Sequence, residues 1–246
     1  MKMISFKQLH EKTLSEHKKI FVKMDVVSYY LWRPICDFLS ILLLKTKITA
    51  NTVTILSFYS CVISLCVFIF MPTYNGALLG YFFFWIWNIS DGIDGNIARY
   101  TGTCSKSGDL WDAVAGYAAM IVVFLGAGIY SSNEASMIIV PFMNDKLYVL
   151  LGAISAIFTI FPRLVIQKKE CVFGKKSSQL MKDRSTFGLF KVIAVNIVSI
   201  NGLCGFLLLL AIIFGFTNIF TILYFVIMLL FAICSMYSIM KGIANE

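Results

Sequence analysis

Six stretches of about 20 predominantly apolar residues, at 52–71, 76–97, 109–131, 147–166, 187–215 and 217–240, dominate this chain. A run of that length is what crosses the roughly 30 Å of hydrocarbon in a bilayer. Backbone polar groups in lipid must be paired within their own segment, so such runs fold as helices. The sequence therefore predicts an all-α, polytopic membrane protein with six transmembrane helices. Its 246 residues are 59% hydrophobic and 14% charged, which excludes an ordinary soluble domain. The fifth stretch is the longest, and Asn196, Asn201, Gly202 and Gly205 within it predict a kink or a polar inner face.

Basic residues give the orientation. In a six-span arrangement twenty of the 21 Lys and Arg residues fall on one side, and Lys146 alone falls on the other. The positive-inside rule then places both termini and the 168–186 loop in the cytoplasm. The net charge of +8 is explained by this topology and by attraction to anionic membrane lipids, without a nucleic-acid partner.

Residues 1–47 read as a cytoplasmic N-terminal segment, and 48–246 as the membrane domain. The first 23 residues are charged throughout and lack the apolar core of a cleavable signal. The run at 26–44 is interrupted by Arg33, Pro34 and Asp37, which predicts an interfacial helix along the cytoplasmic leaflet, the competing reading being a seventh span. His10 and His17 read as surface residues. The seven cysteines are scattered without a C-x-x-C pair and read as small apolar side chains.

Four of the thirteen acids fall between Asp91 and Asp112, flanked on both sides by apolar runs. An ionised carboxylate at the edge of hydrocarbon costs several kcal/mol unless compensated, so such a cluster points to function. Asp91 and Asp94 are three apart, as are Asp109 and Asp112, and each pair shares a face if its segment is helical. A divalent cation relieves repulsion between carboxylates held that close, and oxygen ligands suit Mg²⁺ or Mn²⁺. Gly92, Gly95 and Ala98 cut away the surface beside the acids and leave a notch for a flat group such as a nucleotide; the competing role is a small-residue stripe for helix packing. Arg99 could pair with a diphosphate or hold an acid in place.

The stretch from Asp91 resembles the signature of the CDP-alcohol phosphatidyltransferase family, D-x-x-D-G-x-x-A-R-x8-G-x3-D-x3-D. Asp91, Asp94, Gly95, Ala98, Arg99, Gly108 and Asp112 match, while Gly116 stands where the family has its last Asp. Ile48, Thr49, Asn51 and Thr54 resemble the family's I-T-P-N-x-x-T entry to the first span, with Ala50 replacing Pro; Thr49 or Asn51 equally suits a helix N-cap.

The resemblance implies transfer of a substituted phosphate from a CDP-linked donor to an acceptor alcohol or lipid, with release of CMP. It implies Asp91, Asp94 and Asp112 as ligands of Mg²⁺ or Mn²⁺, a donor site at Asn51, Thr54, Gly92, Gly95, Ala98, Arg99 and Gly108, and Arg163 near the acceptor. It also implies a homodimer; the positive-inside rule places the loop that carries this motif, and so the active site, on the cytoplasmic side. Gly116 offers neither ligand nor base, and Asp109, one turn before Asp112, is the candidate to compensate; its competing role is interaction with a helix macrodipole. Two other functions stand beside the enzyme: a catalytically inactive relative that binds a CDP-linked lipid, and an ion-coupled transporter. The second half has no acid inside its spans, which counts against transport.

Overall fold

The computed structural model describes residues 5–14, 23–133, 143–173 and 189–244, with side chains left out at 189–191 and 244. His17, Lys175 and Lys176 lie outside this set. All regular structure among the described residues is helical.

Helix α1 (Phe6–Thr13) begins at a capping box: the Ser5 hydroxyl accepts from the Gln8 N–H, and the Ser5 N–H donates to the Gln8 side chain. A π-helical turn (Ser28–Trp32) runs into α2 (Arg33–Leu43), with Pro34 in the first turn, where its missing N–H does no harm. The long helices follow as α3 (Ala50–Phe70), α4 (Tyr74–Thr101), α5 (Lys106–Asn133) and α6 (Asp145–Phe173). Helices α7 (Leu189–Val198), α8 (Leu203–Ile213) and α9 (Thr217–Ala244) complete the chain.

The protein is a multi-pass integral membrane protein. Helices α3, α5, α6 and α9 are each long and apolar enough to cross a bilayer, and α7 with α8 form a fifth candidate bent by 51° at its break. The remaining predicted span, 76–97, coincides with α4, whose 28 residues suffice in length. Asn88, Asp91, Asp94 and Asn96 dilute its apolar character, so α4 does not qualify by hydropathy as the others do. Length and apolarity thus support four or five spans, and leave the expected sixth unconfirmed.

Antiparallel packing of α3 on α4 and of α5 on α6, with α9 parallel to α6 so that Phe158 meets Phe225 and Lys169 lies by Gly242, builds the bundle around Phe68, Phe84, Trp87, Phe124, Tyr224 and Met228. Helices α5 and α6 cross at Gly128 and Gly152, where a Cβ on either would come within 2.5 Å of a carbonyl oxygen on the other helix. Helix α4 ends at Gly102, whose φ of 71° is the left-handed cap that glycine adopts without strain. That turn reverses the chain, so the start of α5 returns beside the end of α4.

The break in the fifth stretch lies at residues 199–202, as the Asn and Gly residues predict, and its freed carbonyls have partners. Tyr224 donates to the Ile197 carbonyl at 3.1 Å and Asn88 to that of Asn201 at 3.2 Å. The N-terminal strand of chain braces the same break: Ser199 donates to Asp25, and Asn196 accepts from the Val26 N–H at 2.8 Å.

The N-terminal helices do more than cover a surface. Arg33 Nε lies 3.2 Å from Asp37 Oδ1, and Asn96 on α4 donates to the same oxygen at 2.9 Å. His10, expected as a surface residue, sits 2.6 Å from Asp37 Oδ2, because α1 packs against α2 and α4 with Leu9 fully buried. The charges that interrupt the 26–44 run are therefore satisfied by protein partners.

Candidate active site

Helix α4 contributes Asp91 and Asp94, three residues apart and so on one face. Asp94 is buried, and its Oδ2 accepts a 2.6 Å hydrogen bond from Thr54 on α3, which also donates to the Ala50 carbonyl. Thr49 is the N-cap of α3, its hydroxyl accepting from the Thr52 N–H, which leaves Asn51 free for the cavity. Asp91 accepts from Asn201 at 3.0 Å and lies within hydrogen-bonding reach of Asp112 on α5. Two carboxylates in such contact cannot both ionise cheaply without a proton or a cation between them.

Two cavities open on these acids. The first, about 360 Å³, is lined by Asn51, Thr54, Gly95, Ala98, Arg99 and Gly108 among others. The second, about 860 Å³, is lined by Gly116, Tyr117, Arg163, Gln167, Phe231 and Ser235 among others. Asp91, Asp109, Asp112 and Asn201 belong to both walls. Every residue named from sequence as a ligand, base or substrate contact thus lines one cavity or the other, with Gly92 in the first.

The small residues of the notch have local occupants. A Cβ on Gly92 would come 2.6 Å from Cys36 Sγ, so this glycine lets α2 approach α4. A Cβ on Gly95 would come 2.7 Å from the Arg99 guanidinium, which lies folded over it. Gly108 leaves space for Asn51, whose Oδ1 would be 3.0 Å from an added Cβ. The packing role and the cavity role weighed for these glycines coexist at Gly92, while Gly95 is covered by a side chain that can move.

Oxygen-only ligands and paired acids suit a hard divalent cation in their chemistry. Among the described residues no three His, Cys, Asp or Glu side chains are gathered closely enough to hold one. Asp91 and Asp112 are together, and Asp94 is turned to Thr54. Gly116 meets nothing within 4 Å of an added Cβ, so the family's missing acid corresponds to open space in the second cavity.

Sequence reasoning missed several residues of the first cavity, four of which come from elements distant in the chain. Trp32, Arg33 and Cys36 come from the N-terminal helices, and Asn201 comes from the break after α7. Arg33 carried a signal, a charge inside an apolar run, of the same kind that exposed the acids. Asn201 showed as part of a kink or a polar inner face, without a link to the acids.

A family model described as CDP-alcohol phosphatidyltransferase matches residues 47–237, most of the chain. No curated protein sequence matches it.

Proposed function

The chain belongs to the CDP-alcohol phosphatidyltransferase family, and from that premise we propose metal-dependent transfer of a substituted phosphate from a CDP-linked alcohol or lipid to an acceptor alcohol or lipid. The observation that carries this reading is the meeting of two cavities at Asp91, Asp109, Asp112 and Asn201. Displacement at phosphorus requires donor and nucleophile to approach one centre from different directions.

The first cavity takes the CDP portion. Arg99 lifts from Gly95 and presents its planar fork to the phosphates. Mg²⁺ or Mn²⁺ would be held by Asp91, Asp94 and Asp112 once these draw closer together than they stand in the structure, and would neutralise charge on the phosphoryl oxygens. Thr54 orients Asp94 and Asn201 orients Asp91. The second cavity takes the acceptor, with Arg163 placed for an anionic group on it. The acceptor hydroxyl oxygen bonds to the phosphorus that carries the alcohol, the diphosphate P–O bond breaks, and CMP leaves with the electron pair. Asp109, which borders both cavities, takes the hydroxyl proton in place of the acid absent at Gly116.

On this reading the site faces the cytoplasm, where soluble CDP-linked compounds are found, consistent with the distribution of basic residues. The homodimer rests on the resemblance alone. One observation favours a second reading, a nucleotide-binding relative without turnover: the open space at Gly116. Purified protein given a panel of CDP-linked donors, acceptors and Mg²⁺ or Mn²⁺ separates the two. The enzyme releases CMP with at least one donor; CDP binding without CMP release from any donor favours the binding relative.

A further inference from the structure

We propose that Trp32 and Arg33 complete the donor cavity and bind phosphate oxygens of the CDP-linked donor beside Arg99. This rests on the transferase reading and extends it to a segment before residue 47, where the family match begins.

The arrangement is a wall of hydrogen-bond donors. Arg33 Nη2 donates to Asn96 Oδ1 at 3.0 Å, and Arg99 Nη2 reaches the same oxygen at 3.4 Å. Two guanidinium groups thus converge on one neutral acceptor, and both line the first cavity. Asp37 offsets the charge of Arg33, and Asp94 and Asp91 lie near enough to Arg99 to act on its charge. Trp32 lines the same cavity and is 9% exposed, and its indole Nε1 has no hydrogen-bond partner among the described residues. Arg99 Nε is also buried without one.

Buried N–H groups without partners are unfavourable and uncommon, and here two belong to residues that line one cavity. A purely structural Arg33, tying α2 to α4 through Asp37 and Asn96, leaves the Trp32 and Arg99 donors unexplained. A diphosphate explains both. It brings several acceptor oxygens and negative charge, and guanidinium forks bind such groups bidentately. A membrane phospholipid offers the same phosphate chemistry, so the test includes both sources.

The test measures binding of CDP and of cytidine, with Mg²⁺, to full-length purified wild type, Arg33→Gln, Arg33→Lys and Trp32→Phe, together with binding of each to anionic phospholipid vesicles. Arg33→Gln should weaken CDP tenfold or more and leave cytidine unchanged. Trp32→Phe, which keeps the ring packing and removes the N–H, should weaken CDP severalfold. Arg33→Lys keeps an ion pair with Asp37 but loses the fork, and should fall between wild type and Arg33→Gln; it carries the test should the glutamine variant not fold. Unchanged CDP affinity in Arg33→Lys and Trp32→Phe, with wild type binding normally, overturns this proposal and leaves the transferase reading intact. Weaker vesicle binding with unchanged CDP affinity overturns it too, in favour of a lipid phosphate. Wild type that does not bind CDP overturns the transferase reading and this proposal together.

Discussion

Asn201 and Asp91 lie 110 positions apart, and the Asn201 side-chain amide donates to the Asp91 carboxylate at 3.0 Å. The contact exists because the fifth apolar stretch breaks at residues 199–202, which delivers a polar side chain from the second half of the bundle to the acids of the first. It also places Asn201 on the wall of both cavities.

Asn201→Ala therefore leaves a carboxylate without its orienting donor. A hydrogen bond to a charged group contributes about 1.5–3 kcal/mol, so turnover should fall roughly tenfold to a hundredfold. The Mg²⁺ concentration for half-maximal rate should rise, because Asp91 is no longer held in place, while the KM of the acceptor stays put. An unchanged metal requirement, read from rate against Mg²⁺ concentration, would reduce Asn201 to a helix-break residue.

Asp109 and Gly116 decide how this chain compensates for its departure from the family motif. Asp109→Asn should lower turnover by about 10²- to 10⁴-fold, the usual loss with a general base. Loss of a favourable helix-end charge alone costs about 0.3–1 kcal/mol of stability, and thermal unfolding of the variant separates the two roles. Gly116→Asp should fold normally, since no atom lies within 4 Å of the added Cβ. It should not be needed for activity; CMP release seen only in Gly116→Asp would make the natural chain the nucleotide-binding relative.

Arg163 lines the second cavity and is absent from the wall of the first. Arg163→Ala should raise the KM of the acceptor about tenfold or more while leaving CDP affinity within twofold, as expected when a charge-assisted contact to one substrate is lost. Steady-state kinetics with each substrate varied in turn checks this. Unchanged constants for both would return Arg163 to an interfacial anchor.

Topology has its own test. Cys104 is exposed and lines the first cavity, whereas Asn144 begins the turn before α6 at the far end of α5. In single-cysteine variants, Cys104 should be labelled from the cytoplasm and a cysteine at Asn144 only from the opposite side. Labelling of both from one side would remove the cytoplasmic site.

How much was legible follows from sequence distance. The acids on α4 and α5 announce themselves because their spacing is local and their presence in an apolar context is costly. Thr54 is visible as part of a short motif, yet its bond to Asp94 crosses 40 positions and leaves no periodic trace. Arg33 and Asp37 looked like residues at a lipid interface because their partner Asn96 lies on another helix. The sixth span is left unconfirmed at α4 for a related reason. A helix that carries the site is diluted with the polar residues that make it functional, so hydropathy undervalues it.

The central claim is that Asp91, Asp94 and Asp112 act together, through a divalent cation, to hold a CDP-linked donor. The most direct test is titration calorimetry of CDP with wild type, Asp91→Asn, Asp94→Asn and Asp112→Asn, each with Mg²⁺ and again with a chelator. Wild type should bind CDP with Mg²⁺ and lose that binding with the chelator, and each Asn variant should resemble the chelated wild type under both conditions. Wild-type affinity surviving in all three variants, indifferent to the chelator, would contradict the account.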